Sequence, residues 1–139
     1  MGWWPGTVTR RYARAVARVL GSVGPAVIEV HDAVEVAALL GGMFRPVLVV
    51  LILHSDPQAQ RAARDATART YLLAQVTRVG AVSAALRARM LKGVHPAMRM
   101  CAVLPSAEGP GGVAGLGDAL DALRADAREA WSRRLGGPI

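Results

Sequence analysis

The sequence predicts an α+β fold in a single domain, and three observations carry that reading. Apolar spacing switches from a period of two to a helical period at Ser55 and returns near Gly93. The run Val47–Leu53 is apolar on both faces, as in a central strand covered on at least one side. Clusters of glycine and proline punctuate the chain between these stretches. At 139 residues, with 53% hydrophobic and 19% charged residues, the chain is long and apolar enough to bury a core. Only 4% is aromatic, so that core is built from small side chains.

Residues 1–8 show no periodicity and read as a leader. Thr7 or Thr9 caps a helix over 9–20, its hydroxyl accepting an otherwise unpaired backbone N–H. Tyr12, Val16, Val19, Leu20 and Val23 form one apolar stripe of that helix, with Arg11, Arg14 and Arg18 on another face. Gly21, Gly24 and Pro25 stop it. An acid-free, arginine-bearing amphipathic start also resembles an organellar transit peptide, although a helix belonging to the fold is the preferred reading.

Residues 26–36 alternate as a half-buried strand, bent near Asp32-Ala33, and Leu39-Leu40-Gly41-Gly42 makes a turn or wide loop. Arg45-Pro46 opens the second strand, 46–53. Ser55 caps the next helix, with Pro57 in its first turn and Gln58 three residues on. Helical spacing then runs over 57–92, broken or kinked at Gly80. A third strand spans 97–104. The glycines from Gly109 to Gly117 form a linker over 109–117, and Asp118 caps a last amphipathic helix in a C-terminal extension, 118–139. The expected order is α-β-β-α-kink-α-β with a three-stranded sheet and an added C-terminal helix.

Net charge is +7, distributed as +4 over residues 1–28, −3 over 29–56, +7 over 57–107 and −1 over the remainder. Basic charge concentrated in this way suits a polyanion, nucleic acid foremost, or acidic protein neighbours. No run approaches the roughly 20 apolar residues of a membrane span, so none is expected. Cys101 stands alone, which excludes an intramolecular disulfide and a cysteine-based zinc site. His31, His54 and His95 share no ligand spacing and read as exposed or hydrogen-bonded loop histidines. No nucleophile elbow or apolar carboxylate pair occurs, so neither catalysis nor a cofactor is expected. The glycine cluster fits neither a dinucleotide loop nor a Walker loop.

Gly80 is flanked by Arg78, Arg87, Arg89 and Lys92. A break there would present a helix N-terminus among guanidinium groups, an arrangement that binds phosphate; solvated charges around a helix turn are the plainer alternative.

Gly80, Leu86, Met90, Val94, Pro96, Met98 and Met100 together resemble the helix–strand signature of ribosome-binding factor A, a family of type II KH-like proteins. Val30, Val34 and Val36 are similar to its first strand. Pro46–Leu53 takes the place of its second strand, Arg11–Leu20 that of its first helix. Ser106, Glu108 and Gly109 resemble the turn after its last strand. The likeness spans roughly residues 9–110, within an expected domain of 9–108. Departures include Arg78 at the kink, the longer Ala37–Phe44 loop and the added last helix, and they suit a divergent organellar member.

The resemblance implies a KH type II-like, non-enzymatic maturation factor of the small ribosomal subunit. It would bind small-subunit rRNA and meet ribosomal proteins of the immature subunit, in a mitochondrion or alternatively a bacterial cytoplasm. The last helix could meet another assembly factor. The implied RNA-binding residues are Arg10, Arg11, Arg14, Arg78, Gly80, Arg87, Arg89 and Lys92. They would grip backbone, since Tyr12 and Tyr71 are the only aromatic platforms near them. The alternative is a structural accessory subunit of a large organellar complex, such as a mitoribosomal or respiratory-complex protein, whose arginine-rich faces and last helix dock protein neighbours.

Overall fold

The computed structural model describes residues 7–23, 27–43, 48–98 and 100–134. Helix α1 (Thr7–Val23) is followed by strand β1 (Val27–His31), helix α2 (Val34–Met43) and strand β2 (Leu48–Leu53). Helix α3 (Ala66–Gln75), strand β3 (Arg78–Ala81), helix α4 (Ala84–Leu91), strand β4 (Cys101–Val103) and helix α5 (Gly112–Arg134) complete the order. Short 3-10 turns occupy Pro57–Ala59, Arg61–Ala63 and Pro96–Met98. Of residues 1–8, read as a leader, 1–6 lie outside the described residues and Thr7-Val8 already belong to α1; Gly24-Pro25, Arg45-Pro46 and Arg99 also lie outside.

Helices and one sheet share the chain, as the α+β class requires. The sheet itself corrects the expectation: four strands lie in the order β1-β2-β3-β4, every neighbouring pair parallel. The three-stranded sheet with an α-β-β-α-kink-α-β order, and with it the KH-like arrangement, does not form. Parallel neighbours need a crossover, and α2, α3 and α4 supply the three. Successive strands add on the same side, so crossovers of one hand all fall on one face. That face packs Ile28, Val30, Val49, Leu51, Leu53, Val79 and Ala81 against Val34, Ala37, Leu40, Leu72, Met90 and Leu91.

Residues 34–36, expected as strand, begin α2 instead. Asp32 turns the chain with φ of +60°, and its Oδ1 accepts the backbone N–H of His54 (2.7 Å) and Ser55 (3.0 Å). Gln60 finishes the joint, donating to the Asp32 carbonyl (2.5 Å) and accepting from the Val34 N–H (3.3 Å). Gly41, expected in a turn, lies inside α2. A Cβ there would sit 2.2 Å from the Gln75 carbonyl oxygen, so its missing side chain lets α2 approach α3.

The stretch 57–92 is not one kinked helix. Asp56 rather than Ser55 caps its start, accepting from the Gln58 N–H (2.9 Å), and the turn it opens is 3-10. Asp65 caps α3 through the Ala68 N–H (2.8 Å), and Ser83 caps α4 through the Leu86 N–H (3.1 Å). Between those helices Arg78–Ala81 is a strand, registered on Val50–Leu53. Alanine-rich flanks carry little periodic signal, which hides a four-residue strand from spacing alone. The third expected strand, 97–104, shortens to β4 because Pro96–Met98 turns first.

α5 begins at Gly112 and takes in Gly115, Gly117 and Asp118, so most of the expected 109–117 linker is helix. Leu123 and Ala127 are buried against Leu48, Val50, Ile52 and Leu104, with Leu116, Leu120 and Trp131 beside them. The helix expected as an extension therefore covers the second face of the sheet. Among the described residues no helix is long and apolar enough to cross a membrane.

Candidate functional site

Helix α1 presents three longitudinal stripes at about 100° per residue. Thr9, Ala13, Val16, Ala17 and Leu20 are buried or half-buried, and Val16 and Leu20 pack on the crossover side of the core. Arg10, Arg14, Arg18 and Arg11 follow as an exposed stripe with no acidic residue anywhere in the helix. Val8, Tyr12, Ala15 and Val19 then form an exposed apolar stripe, with Val8 80%, Tyr12 58% and Val19 62% exposed. This corrects the expected single apolar face: Tyr12 and Val19 point away from the core that Val16 and Leu20 reach. The signal was present at Ala13, fully buried yet too small to stand out as a core residue.

The remaining basic residues are mostly engaged across the fold. Arg78 Nε meets Asp126 at 2.6 Å and its Nη1 donates to the Thr77 carbonyl at 2.8 Å. Arg87 Nε donates to the Cys101 carbonyl at 2.7 Å, on the side of β4 away from β3, which blunts an open strand edge. Arg89 meets Asp56 at 2.8 Å, and that hydrogen bond holds the Asp56 carboxyl below its ordinary value. Arg61 meets Glu35 at 3.1 Å. Arg69 is buried and donates to the carbonyls of Ala63, Arg64 and Lys92, and burial lowers its pKa. Lys92 is exposed.

The eight implied RNA-binding residues thus do not form one surface. Gly80 is no kink: it is buried in the middle of β3, where its missing side chain admits Leu123 of α5. Arg78, Arg87 and Arg89 are each paired across the fold, Arg89 from an exposed position. Arg10, Arg11 and Arg14 stay clustered on α1 and gain Arg18, and no carboxylate among the described residues pairs with any of the four.

A polar cluster lies at the carboxyl ends of β1 and β2, the end of a parallel sheet where ligands usually bind. His31 Nδ1 and His54 Nε2 are 2.8 Å apart with the rings stacked at 5.1 Å. His31 Nε2 reaches Glu29 at 3.3 Å, and Glu29 holds Arg124 of α5 at 2.6 Å and 3.1 Å. Arg124 keeps the Glu29 carboxyl below its ordinary value, against the opposing effect of burial. Both histidines are exposed and hydrogen-bonded to each other, as expected, although His31 ends β1 rather than lying in a loop. Strand order here never reverses, so the sheet has no switch-point crevice to receive a ligand over them. Among the described residues no three metal-ligating side chains converge.

An open depression of about 300 Å³ lies at the other end of β3 and β4, lined by Arg78, Met100, Leu123 and Asp126 among others. Its one cation and one anion are already paired with each other. Cys101, also on its wall, is buried, and that burial pushes its thiol pKa up to about 11, so it is no nucleophile at neutral pH. No protein-family model, curated protein or solved structure matches this chain.

Proposed function

We propose that this chain is a non-enzymatic docking domain that holds an anionic partner against the arginine stripe of α1. One observation carries the reading: Arg10, Arg11, Arg14 and Arg18 form an acid-free exposed stripe, while the other arginines named above are tied to carboxylates or backbone carbonyls. Such a stripe attracts phosphate-bearing surfaces by charge and by the forked geometry of guanidinium. Val16 and Leu20 pack the inward face of the helix on the core, so the charges are presented by a helix docked on the domain.

The ribosomal maturation-factor reading is one form of this proposal, with small-subunit rRNA as the partner. What supports it is Arg10, Arg11 and Arg14; Gly80 is buried, and Arg78, Arg87 and Arg89 are already paired with Asp126, the Cys101 carbonyl and Asp56. A protein-docking accessory subunit is the other form, with an acidic neighbour on the same stripe.

Heparin retention and anisotropy of a labelled single-stranded RNA test the reading on the full chain. Four phosphate contacts to a single strand should weaken RNA binding about 50-fold between roughly 50 and 200 mM salt. R10Q/R11Q/R14Q/R18Q should lose heparin retention and RNA binding together. R87A/R89A/K92A should keep both if it stays folded. Equal retention of the quadruple variant and the parent would overturn the proposal.

A further inference from the structure

We propose that the anionic partner of α1 is a lipid bilayer surface, on which the helix lies flat with the domain behind it. The inference rests on the docking reading above and adds the chemistry of the partner. The arginine stripe accounts for only half of the exposed side of α1. The other half is Val8, Tyr12, Ala15 and Val19, and the two stripes adjoin. Together they lie roughly opposite the face built on Thr9, Ala13, Val16 and Leu20.

A bilayer interface satisfies both halves at once. Lipid phosphates and anionic headgroups meet the guanidinium groups, and the apolar stripe enters the boundary of the acyl region. Tyr12 suits that depth, with an apolar ring and a polar hydroxyl. At 17 residues α1 is about 25 Å long, and it is not apolar enough to cross the membrane, so it would rest in the plane of the interface.

The competing occupants fit one half only. RNA phosphates would match the arginines but leave Val8 and Val19 facing water. A second copy would match the apolar stripe, whose spacing of four, three and four residues could form a helical seam. Paired antiparallel, however, it would set Arg11 and Arg18 against the same residues of the other copy, with no acid in the helix to offset them.

Co-flotation of the full chain with vesicles tests this, comparing pure phosphatidylcholine with phosphatidylcholine containing phosphatidylglycerol. V8S/Y12S alters two exposed side chains and should leave the denaturation midpoint unchanged. The parent should bind only the anionic vesicles. Replacing each α1 arginine by glutamine should weaken that binding about fivefold. V8S/Y12S should lose at least about tenfold, from the apolar area withdrawn, while its heparin retention, which reads charge alone, stays intact.

If V8S/Y12S bound anionic vesicles as the parent does, the apolar stripe would not enter the bilayer and the inference would fall. RNA or heparin binding without vesicle binding would also remove the bilayer, leaving the polyanion reading in place. Loss of all three in the parent would remove both. A parent dimer that V8S/Y12S converts to a monomer, without vesicle binding, would make a second copy the occupant.

Discussion

Gly80 in the middle of β3 and Leu123 of α5 are in closest packing: a Cβ built on Gly80 would sit 2.8 Å from Leu123 Cδ2. The same Cβ would stand 3.1 Å from Leu104 and 3.4 Å from Ile52. The glycine is therefore the seat on which the last helix rests against the sheet.

Gly80→Val should lower stability by about 2 kcal/mol, because the added atoms must displace a buried leucine or lift α5. Guanidinium denaturation of the two proteins measures it. Leu123→Ala, which empties the space, should relieve part of that penalty in the double variant, as expected of residues in direct contact. An additive double variant would mean the strand and the helix are not coupled here.

Gly41→Ala should run against the usual rule. In a helix interior that change ordinarily stabilises by about 1 kcal/mol. Here the new methyl meets a backbone oxygen of Gln75 at 2.2 Å, which no side-chain rotation can relieve. A loss of about 3 kcal/mol, at the upper end of overpacking penalties, is expected in the same denaturation experiment. Gly42→Ala faces only the end of the Gln75 side chain at 3.1 Å and should cost less.

Glu29→Gln should destabilise the protein at neutral pH, and the difference from the parent should vanish in acid. The Arg124 hydrogen bond lowers the folded-state pKa of Glu29 below its ordinary 4.5. A carboxyl depressed in this way stabilises the fold above the unfolded pKa and loses that contribution as pH falls through the folded one. The two thermal midpoints should therefore converge below about pH 4.5. Parallel pH profiles would show that the pair does not couple to folding.

Cys101 should resist alkylation in the native protein. With a pKa of about 11 its thiolate is about one part in a thousand at pH 8, and the side chain is almost wholly buried. A colorimetric thiol titration should be slow in buffer and fast in guanidinium. Equal rates would mean that β4 opens freely at the edge of the sheet.

Several features were legible in the sequence for local reasons. Leu48–Leu53 is buried on all six residues, in keeping with a central strand apolar on both faces; the sequence required cover on at least one side, and the structure supplies it on both. The Arg-bearing first helix was visible because a stripe of charge beside a stripe of aliphatics needs no partner to define it. The amphipathic last helix was visible too, with Leu123 and Ala127 on its buried side.

What the sequence could not determine was where each charge and each glycine would be used. By composition Arg78, Arg87 and Arg89 looked like a basic surface. Their partners Asp126, the Cys101 carbonyl and Asp56 stand 48, 14 and 33 residues away in the chain, so only folding brings the pairs together. Gly80 read as a helix break because a missing side chain marks a close approach without saying to what, and Leu123 is 43 residues downstream. The sequence by itself determined that the chain folds around small aliphatic residues and carries an acid-free basic helix. Tertiary structure alone decided that the sheet is parallel, since crossover helices rather than turns must fill the space between β1, β2, β3 and β4. It also decided which arginines remain exposed, because a guanidinium stays available only where folding brings no carboxylate or carbonyl within its reach.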